Sequence, residues 1–149
     1  MNKRMPNDPA VIDEMLRTAK TIAVVGMSDK PSRASHNIGK YLASHGFRVL
    51  PVNPALKDVL GMTCYPDLEA AQAAAREQTG AGIDLVDVFR ASEFVPEIVD
   101  DVIRLKIPYL WLQDEVQHDE ATARAQAAGV KCVQNDCIFR EHARYASAH

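Results

Sequence analysis

The segment after the first apolar run of the sequence carries residue types suited to binding an anion. The run of residues 21–25 ends at Gly26, and the polar residues that follow shortly after it include Ser28, Arg33 and Ser35. Glycine lets a backbone approach a ligand closely, while serine hydroxyls and an arginine guanidinium can hydrogen-bond phosphate oxygens. We expect Ser35 also to cap the next helix, whose N-terminus carries partial positive charge. The segment therefore predicts a phosphate-binding loop, although a plain strand-to-helix turn can have the same composition.

The same segment lacks the patterns of two common nucleotide sites. It has one glycine where a dinucleotide site has G-x-G-x-x-G, and the sequence contains no G-x-x-x-x-G-K-[ST] motif. The second predicted strand leads to Asn53, whereas an NAD site normally has Asp or Glu there to hold the ribose 2′-hydroxyl. These departures argue against a P-loop hydrolase and a dehydrogenase, and they leave an NAD(P)-linked redox regulator as a weaker alternative.

Polar residues and prolines also follow the other predicted strands. Pro51 and Pro54 enclose Val52 and Asn53, an arrangement that suits either a rigid wall for a nucleotide or a stiffened strand end. An arginine at position 90 follows the third long strand, where a ligand contact and an exposed salt bridge are equally good readings. Since the carboxyl ends of parallel strands share one edge of a sheet, we expect these segments to face a common ligand.

Candidates for catalysis or metal binding are few. His36 lies nearest the predicted loop, but an exposed position on the following helix is the favoured interpretation. Cys64, Cys132 and Cys137 have no metal-type spacing and are expected to be buried or half-buried free thiols. No H-E-x-x-H motif, nucleophile elbow or Cys–His pair is visible. We therefore predict no catalytic residue and no metal site.

Strands and helices alternate along the whole sequence. Predicted strands cover residues 21–26, 47–52, 83–89, 107–112 and 130–133, and predicted helices lie before, between and after them. Residues 58–63 are predicted to form a turn, and Trp111 to lie in the core. The alternation indicates a Rossmann-like, three-layer α/β fold: a doubly wound parallel sheet of about five strands with helices on both faces. We expect residues 1–149 to form a single domain.

Composition excludes several classes of protein. Hydrophobic residues make up 47% and charged residues 25% of the 149 residues, which is typical of a globular domain. The formal net charge of −3 argues against a nucleic-acid partner, and no apolar run reaches the roughly 18 residues that span a membrane. Free cysteines suit the cytoplasm. We expect a cytoplasmic protein with a small nucleotide ligand, and both monomer and homodimer remain open.

The combination of these segments resembles the small stand-alone CoA-binding proteins. The resemblance begins with the strand at residue 22. It includes the Gly-x-Ser of residues 26–28, the Arg-x-Ser of residues 33–35 and the Pro-Val-Asn-Pro of residues 51–54. It continues in Val-Asp-Val-Phe-Arg at 86–90, Trp-Leu-Gln at 111–113, and Cys137 followed by Glu141. The fold of this family resembles the N-terminal CoA-binding domain of the succinyl-CoA synthetase α subunit. Asp114 and Glu115 depart from the family pattern, which has a glycine there.

The resemblance implies coenzyme A as the ligand, bound across the strand ends. By position, it implies phosphate contacts from Gly26, Ser28, Arg33 and Ser35, and Lys57 near a phosphate. It implies that Val52, Asn53 and Pro54 line the nucleotide side. It also implies that Phe89 and Arg90 border the adenine or ribose, and that Gln113 lies at the pantetheine. The synthetases need a second domain with a phosphorylated histidine, so we expect a non-catalytic binding protein. The alternatives are a CoA-dependent ligase or transferase subunit that needs a partner, and the NAD(P)-linked regulator.

Overall fold

A computed structural model describes residues 7–149, and the predicted alternation of strands and helices is present in it. The strands are β1 (Thr21–Val25), β2 (Arg48–Val52), β3 (Asp58–Val59), β4 (Met62–Thr63), β5 (Leu85–Val88), β6 (Tyr109–Leu112) and β7 (Lys131–Val133). The helices are α1 (Pro9–Thr18), α2 (Ala34–Ser44), α3 (Leu68–Thr79), α4 (Val95–Arg104), α5 (Asp119–Ala127) and α6 (Ile138–Ala148). Residues 1–6 of the predicted 1–149 domain lie outside the described residues.

Five parallel strands form the central sheet in the order β2-β1-β5-β6-β7. The chain passes from β1 outward to β2 and then returns to the other side of β1, where β5 pairs with it. The strand order therefore reverses between β1 and β5. In open α/β sheets, ligands bind beyond the carboxyl ends of the strands at such a reversal.

Helices cover both faces of this sheet and bury two apolar clusters. α3, α4 and α5 pack on one face, in the same cluster as Val25, Val86 and Leu112. α1, α2 and α6 cover the other face, around Val24 and the fully buried Trp111. Because the strands are buried on both sides, they appear in the sequence as continuous apolar runs. The predicted Rossmann-like α/β fold and the core position of Trp111 are confirmed.

The structure differs from the sequence predictions at two local points. Residues 58–63 form a short antiparallel hairpin of β3 and β4, with Leu60 and Gly61 at its tip, rather than an irregular turn. Ser35 is not the N-cap of α2, because that position belongs to Arg33 and Ser35 already lies within the helix. The hydroxyl of Ser35 accepts a hydrogen bond from the loop instead, as described below.

Neighbouring segments occupy the ends of both edge strands of the sheet. Beside β2, the N–H of Tyr65 donates to the carbonyl of Pro51 at 2.9 Å, and the N–H of Asn53 donates to the carbonyl of Tyr65 at 2.9 Å. Directly after β7, the side-chain amide of Asn7 both donates to the carbonyl of Gln134 and accepts from its N–H, at 2.8 and 3.0 Å. These contacts satisfy backbone groups that a sheet edge otherwise leaves unpaired.

Candidate ligand-binding site

Gly26 lies at the reversal of strand order, immediately after β1. Its φ of +86° falls in the left-handed region, and a Cβ atom there would lie 3.1 Å from both the carbonyl oxygen of Phe89 and Cγ of Arg90. Only glycine combines this backbone conformation with so close an approach of the two chain segments. Gly26 therefore brings the loops after β1 and β5 together at the predicted ligand edge.

One cleft opens beside Gly26 on the side of α2, and we call it the phosphate cleft. It has a volume of about 350 Å³. Residues 26–33, which we call the phosphate loop, form most of it together with the first turn of α2. Its lining residues are Gly26, Ser28, Lys30, Arg33, Ala34, Ser35 and Phe89. Five of these seven were predicted as ligand contacts from the sequence.

The phosphate cleft is rich in donors that have no protein partner. The N–H groups of Ala34 and Ser35, at the start of α2, donate to no acceptor within residues 7–149, and the Arg33 side chain does not cap the helix. Lys30 and Arg33 are exposed and form no ion pair with any residue of the described part of the chain. Helix N-terminal amides and flanking cations together make a binding site for an anion.

Side chains of α2 hold the phosphate loop in place. The N–H of Ser28 donates to Oγ of Ser35 at 3.0 Å, and Oγ of Ser28 accepts from the N–H of Lys30 at 3.0 Å. His36 contacts the carbonyl oxygen of Ser28 through Nδ1 at 3.0 Å and is buried. The predicted exposure of His36 is therefore wrong. The sequence alone could not show this contact, because the position of a histidine along a helix does not reveal whether a neighbouring loop covers its side chain.

A second cleft lies on the other side of Gly26, toward α3 and α4, and we call it the base cleft. Its volume is about 390 Å³. The ends of β1 and β2 and the helices α3 and α4 supply its apolar surface. Three carboxylates and one guanidinium also line the cleft. The lining residues are Val25, Gly26, Val52, Asn53, Pro54, Pro66, Asp67, Leu68, Arg90, Glu97, Ile98 and Asp101.

The side chain of Asn53 joins the loops that follow β1 and β2. Its Nδ2 donates to the carbonyl of Met27 at 3.1 Å, and its Oδ1 accepts from the N–H of Ala55 at 2.9 Å. Both the nitrogen and the oxygen of the side-chain amide are thus hydrogen-bonded. Asn53 therefore fixes the relative position of the two clefts as well as lining one of them.

Arg90 is held at the wall of the base cleft by two neighbours. Its guanidinium lies 3.9 Å from the centre of the Phe94 ring, and Nη1 is 4.0 Å from Oε1 of Glu97. The cation–π contact orients the planar group while leaving its outer N–H groups accessible. Both interpretations of Arg90 from the sequence, a ligand-edge residue and an exposed ion pair, are consistent with this position.

Two predicted residues lie apart from the clefts. Lys57 is exposed on the loop after β2 and lines neither of them. Gln113 is 4% exposed, and its Oε1 accepts from the N–H of Ile138 at 3.1 Å, at the start of α6. Its Nε2 makes no hydrogen bond within residues 7–149 and remains a donor at the ligand edge of the sheet.

Sequence reasoning missed some of the lining residues. Lys30 lies in the phosphate loop, and a basic residue among serines was a usable signal. Asp67 is the N-cap of α3, and Glu97 and Asp101 lie on α4. Their approach to the base cleft depends on how the helices pack, which helical periodicity alone does not determine.

Asp87 is a buried carboxyl group outside both clefts. It lies on β5 opposite Val24 and Trp111, and neither carboxyl oxygen has a hydrogen-bond partner within the described residues. Burial raises the pKa of Asp87 well above its ordinary value of 3.8, because the charged form loses its hydration. Burial therefore favours the neutral form of this carboxyl group.

The part of the chain that the structure describes has neither a metal-type cluster nor a membrane-spanning helix. Among residues 7–149, no three His, Cys, Asp or Glu side chains come together in a way that would hold a metal ion. No described helix has both the length and the apolar character needed to cross a membrane. Cys64 and Cys137 are buried and Cys132 is half-buried, all as free thiols, as the sequence predicted.

Comparison with known proteins decides the family. A family model described as a CoA binding domain matches residues 20–143. The chain belongs to this CoA-binding family. The match covers both clefts and confirms the resemblance seen in the sequence.

Relatives of this CoA-binding domain include proteins of similar length and a much longer enzyme. The uncharacterized protein YneT of Bacillus subtilis (strain 168) is 33% identical over 134 residues, which are 90% of this chain and 93% of that protein. A hypothetical protein from Pyrococcus horikoshii OT3 has a solved structure with 35% identity, a TM-score of 0.83, and coverage of 98% of this chain and 99% of that one. The acetate–CoA ligase (ADP-forming) I of Archaeoglobus fulgidus is 24% identical over 135 residues, and the chain spans only 18% of its length.

Proposed function

We propose that this chain forms one domain that binds coenzyme A, or an acyl-CoA, without catalysing a reaction itself. The observation that carries the proposal is the phosphate cleft at the strand-order reversal. There the unpartnered N–H groups of Ala34 and Ser35 lie beside the cations Lys30 and Arg33. Membership of the CoA-binding family makes CoA the ligand that best explains such a cleft.

The phosphate cleft suits the diphosphate of CoA. Its charged side chains are cationic, and its free backbone amides point out of a helix N-terminus, so both attract phosphate oxygens. Gly26 supports the same assignment, because a side chain at that position would fill the space where the two strand-end loops and the ligand meet. Ser28 and Ser35 shape the loop through their hydroxyls and line the cleft beside the diphosphate.

The base cleft suits the adenosine part of the ligand. Val52, Pro54 and Ile98 supply apolar surface for a planar base. The carboxylates of the cleft attract hydrogen-bond donors and repel additional phosphate, so the ribose phosphate of CoA is placed outward. Lys57 lies exposed on the same edge of the sheet and is the proposed partner for that phosphate.

Gln113 and Phe89 complete the proposed path of the ligand. Phe89 lines the phosphate cleft, where its ring borders the route between the two halves of the nucleotide. The free Nε2 of Gln113 is a donor for the amides of pantetheine, since its Oε1 already accepts from Ile138. On this proposal the pantetheine runs along the sheet edge from Gly26 toward the start of α6.

A CoA-dependent enzyme subunit is the second candidate. The observation in its favour is the match to the acetate–CoA ligase of Archaeoglobus fulgidus, of which this chain spans 18%. On that alternative a partner supplies the chemistry. An NAD(P)-linked regulator stays the weakest candidate, because the phosphate loop has a single glycine and β2 leads to Asn53 instead of an acidic residue.

Calorimetric titration with CoA, acetyl-CoA, NAD, NADP and ADP tests the proposal. We expect CoA and acetyl-CoA to bind tightly and NAD and NADP to bind weakly or not at all. Binding of NAD without binding of CoA would overturn the proposal. Turnover of acetyl-CoA with ADP and phosphate by the purified chain alone would contradict the non-catalytic assignment, while turnover only after a partner is added would favour the enzyme-subunit candidate.

A further inference from the structure

We propose that His36 is a positioning residue that holds the phosphate loop in its ligand-binding conformation. The inference rests on the proposed CoA-binding function of the phosphate cleft. It concerns a side chain that lines neither cleft and therefore acts on the ligand only through the backbone of the loop.

The contact between His36 and Ser28 has a defined direction. A carbonyl oxygen only accepts hydrogen bonds, so the hydrogen must lie on Nδ1 of His36, 3.0 Å from the oxygen of Ser28. The ring is 7% exposed, and a buried polar ring is stable in the fold only when it has such a partner. In the neutral ring this leaves the lone pair on Nε2, so the contact selects one tautomer.

Two consecutive residues of α2 hold both backbone groups of Ser28. Ser35 accepts from the Ser28 N–H at 3.0 Å, and His36 donates to the Ser28 carbonyl. The first turn of α2 thereby fixes the orientation of the loop close to Gly26. A third residue, Asn37, donates to the carbonyls of Pro31 and Arg33 at 2.8 and 3.2 Å and fixes the far end of the loop.

The orientation of the Ser28 carbonyl determines how the loop lies beside the phosphate cleft. In a trans peptide, the C=O and the following N–H point in opposite directions, and the described residues contain no cis peptide bond. Because His36 draws the Ser28 oxygen toward α2, the N–H of Asp29 is directed away from the helix. It donates to no acceptor within residues 7–149. Because Ser28 lines the phosphate cleft, a reversed peptide would break the contact with His36 and move the loop beside the cleft.

Three substitutions separate the hydrogen bond from the volume of the ring. His36→Phe keeps a ring of similar size without the donor, and His36→Asn places an amide nitrogen near the position of Nδ1. His45→Ala is the matched control, since His45 is an exposed histidine at the other end of α2 whose Nδ1 contacts the carbonyl of Tyr41 at 2.7 Å.

Calorimetric titration with CoA gives the first readout. We expect His36→Phe to weaken CoA binding by roughly five- to tenfold, the effect of losing one net hydrogen bond that orients the site. His36→Asn should stay within about threefold of the wild type, and His45→Ala should be unchanged. Equal affinity of the wild type and His36→Phe would overturn the proposal, as would an equal loss in both His36 variants when both are folded by circular dichroism.

The wild-type protein gives a second readout that does not depend on variants folding. Nitrogen-15 NMR of the histidine side chains at pH 8 should show His36 as the neutral tautomer with hydrogen on Nδ1. The tautomer with hydrogen on Nε2 would overturn the proposal even if every variant misfolds. Should wild-type protein fail to bind CoA, the proposed function fails, while the tautomer measurement still tests the loop contact.

Discussion

Gly26 and Phe89 approach each other so closely that a side chain on Gly26 would press against the main chain of Phe89. A Cβ on Gly26 would lie 3.1 Å from the carbonyl oxygen of Phe89. The two residues follow β1 and β5, the strands between which the strand order reverses. Position 26 must therefore meet two requirements, a left-handed backbone conformation and a close approach to the main chain of Phe89.

Replacing Gly26 with alanine should be more damaging than the same change at Gly46. Both glycines have positive φ, +86° and +92°, but a Cβ on Gly46 meets no atom within 4 Å. The left-handed conformation alone costs an alanine about 1–2 kcal/mol, so we expect that loss for Gly46→Ala and a larger one for Gly26→Ala. Urea unfolding measures both losses. Equal destabilisation would show that the contact with Phe89 is unimportant.

Arg33 is the side chain on which proposed CoA binding depends most directly. Because a charge-assisted hydrogen bond contributes roughly 1.5–3 kcal/mol, Arg33→Ala should weaken CoA binding by about 10- to 100-fold. Arg17→Ala is the control, since Arg17 is an exposed arginine paired with Asp13 on α1 and lines neither cleft. Titration with CoA measures both variants, and an unchanged affinity in Arg33→Ala would mean that Arg33 does not touch the ligand.

Much of the fold was predictable because it depends on patterns that a single sequence carries. The five apolar runs, their separation by helical segments and the turn at Gly26 determine a parallel α/β sheet, and the ligand edge follows from it. The partners of Asn53 and Gln113 were not predictable. Their amides bond to Met27 and Ile138, far away in sequence, and only three-dimensional packing brings these pairs together.

The conformation of the phosphate loop was also beyond the sequence. Serine at position 35 suggested a helix cap, but the helix begins earlier, at Ala34, and the hydroxyl binds the loop instead. The choice of hydrogen-bond acceptor by side chains such as Ser35 decides which backbone amides of the loop and helix remain unpaired. Residue types alone therefore predicted most of the residues that line the phosphate cleft, and not which backbone amides stay unpaired there.

Asp87 should make stability depend on pH. Its folded-state pKa is raised by burial, so its stabilising contribution is fully present below the ordinary value of 3.8 and is lost as pH rises toward the folded-state pKa. Asn at position 87 stays neutral throughout. We expect the stability of Asp87→Asn relative to wild type to increase with pH above about 4, by at most about 1.4 kcal/mol per pH unit.

Urea denaturation of Asp87→Asn and wild type across pH 4–8 measures this dependence. Asp84→Asn is a suitable comparison, because Asp84 accepts hydrogen bonds from the N–H groups of Lys20 and Thr21 at 2.9 and 2.8 Å. That substitution should destabilise the protein by removing a charged acceptor. Parallel pH profiles for wild type and Asp87→Asn would show that the buried carboxyl does not retain its proton.

The hairpin tip should become more stable when Leu60 is replaced by asparagine. Leu60 and Gly61 have φ values of +53° and +77°, the conformation of a two-residue turn that prefers Asn-Gly. Leu60 is also 45% exposed, so little burial compensates for its strained backbone. We expect Leu60→Asn to raise the free energy of unfolding by roughly 0.5–1 kcal/mol. Thermal unfolding measures the gain, and a loss would indicate that the Leu60 side chain has a packing partner.

Cys132 should resist alkylation in the folded protein. Burial raises the pKa of its thiol to about 12, so almost no thiolate is present at pH 8. Burial also raises the pKa of Cys64. Mass spectrometry after iodoacetamide treatment should show both thiols unmodified in native protein and modified after denaturation. Rapid native labelling of Cys132 would mean that β7 opens locally.

The contacts beside β2 and β7 limit how two copies of this protein can associate. Tyr65 and Asn7 already occupy backbone groups at the ends of the two outer strands. A second molecule would meet satisfied amides and carbonyls there, so continuous strand pairing between copies is obstructed. Association of two copies through these strand ends would therefore first have to displace Tyr65 or Asn7.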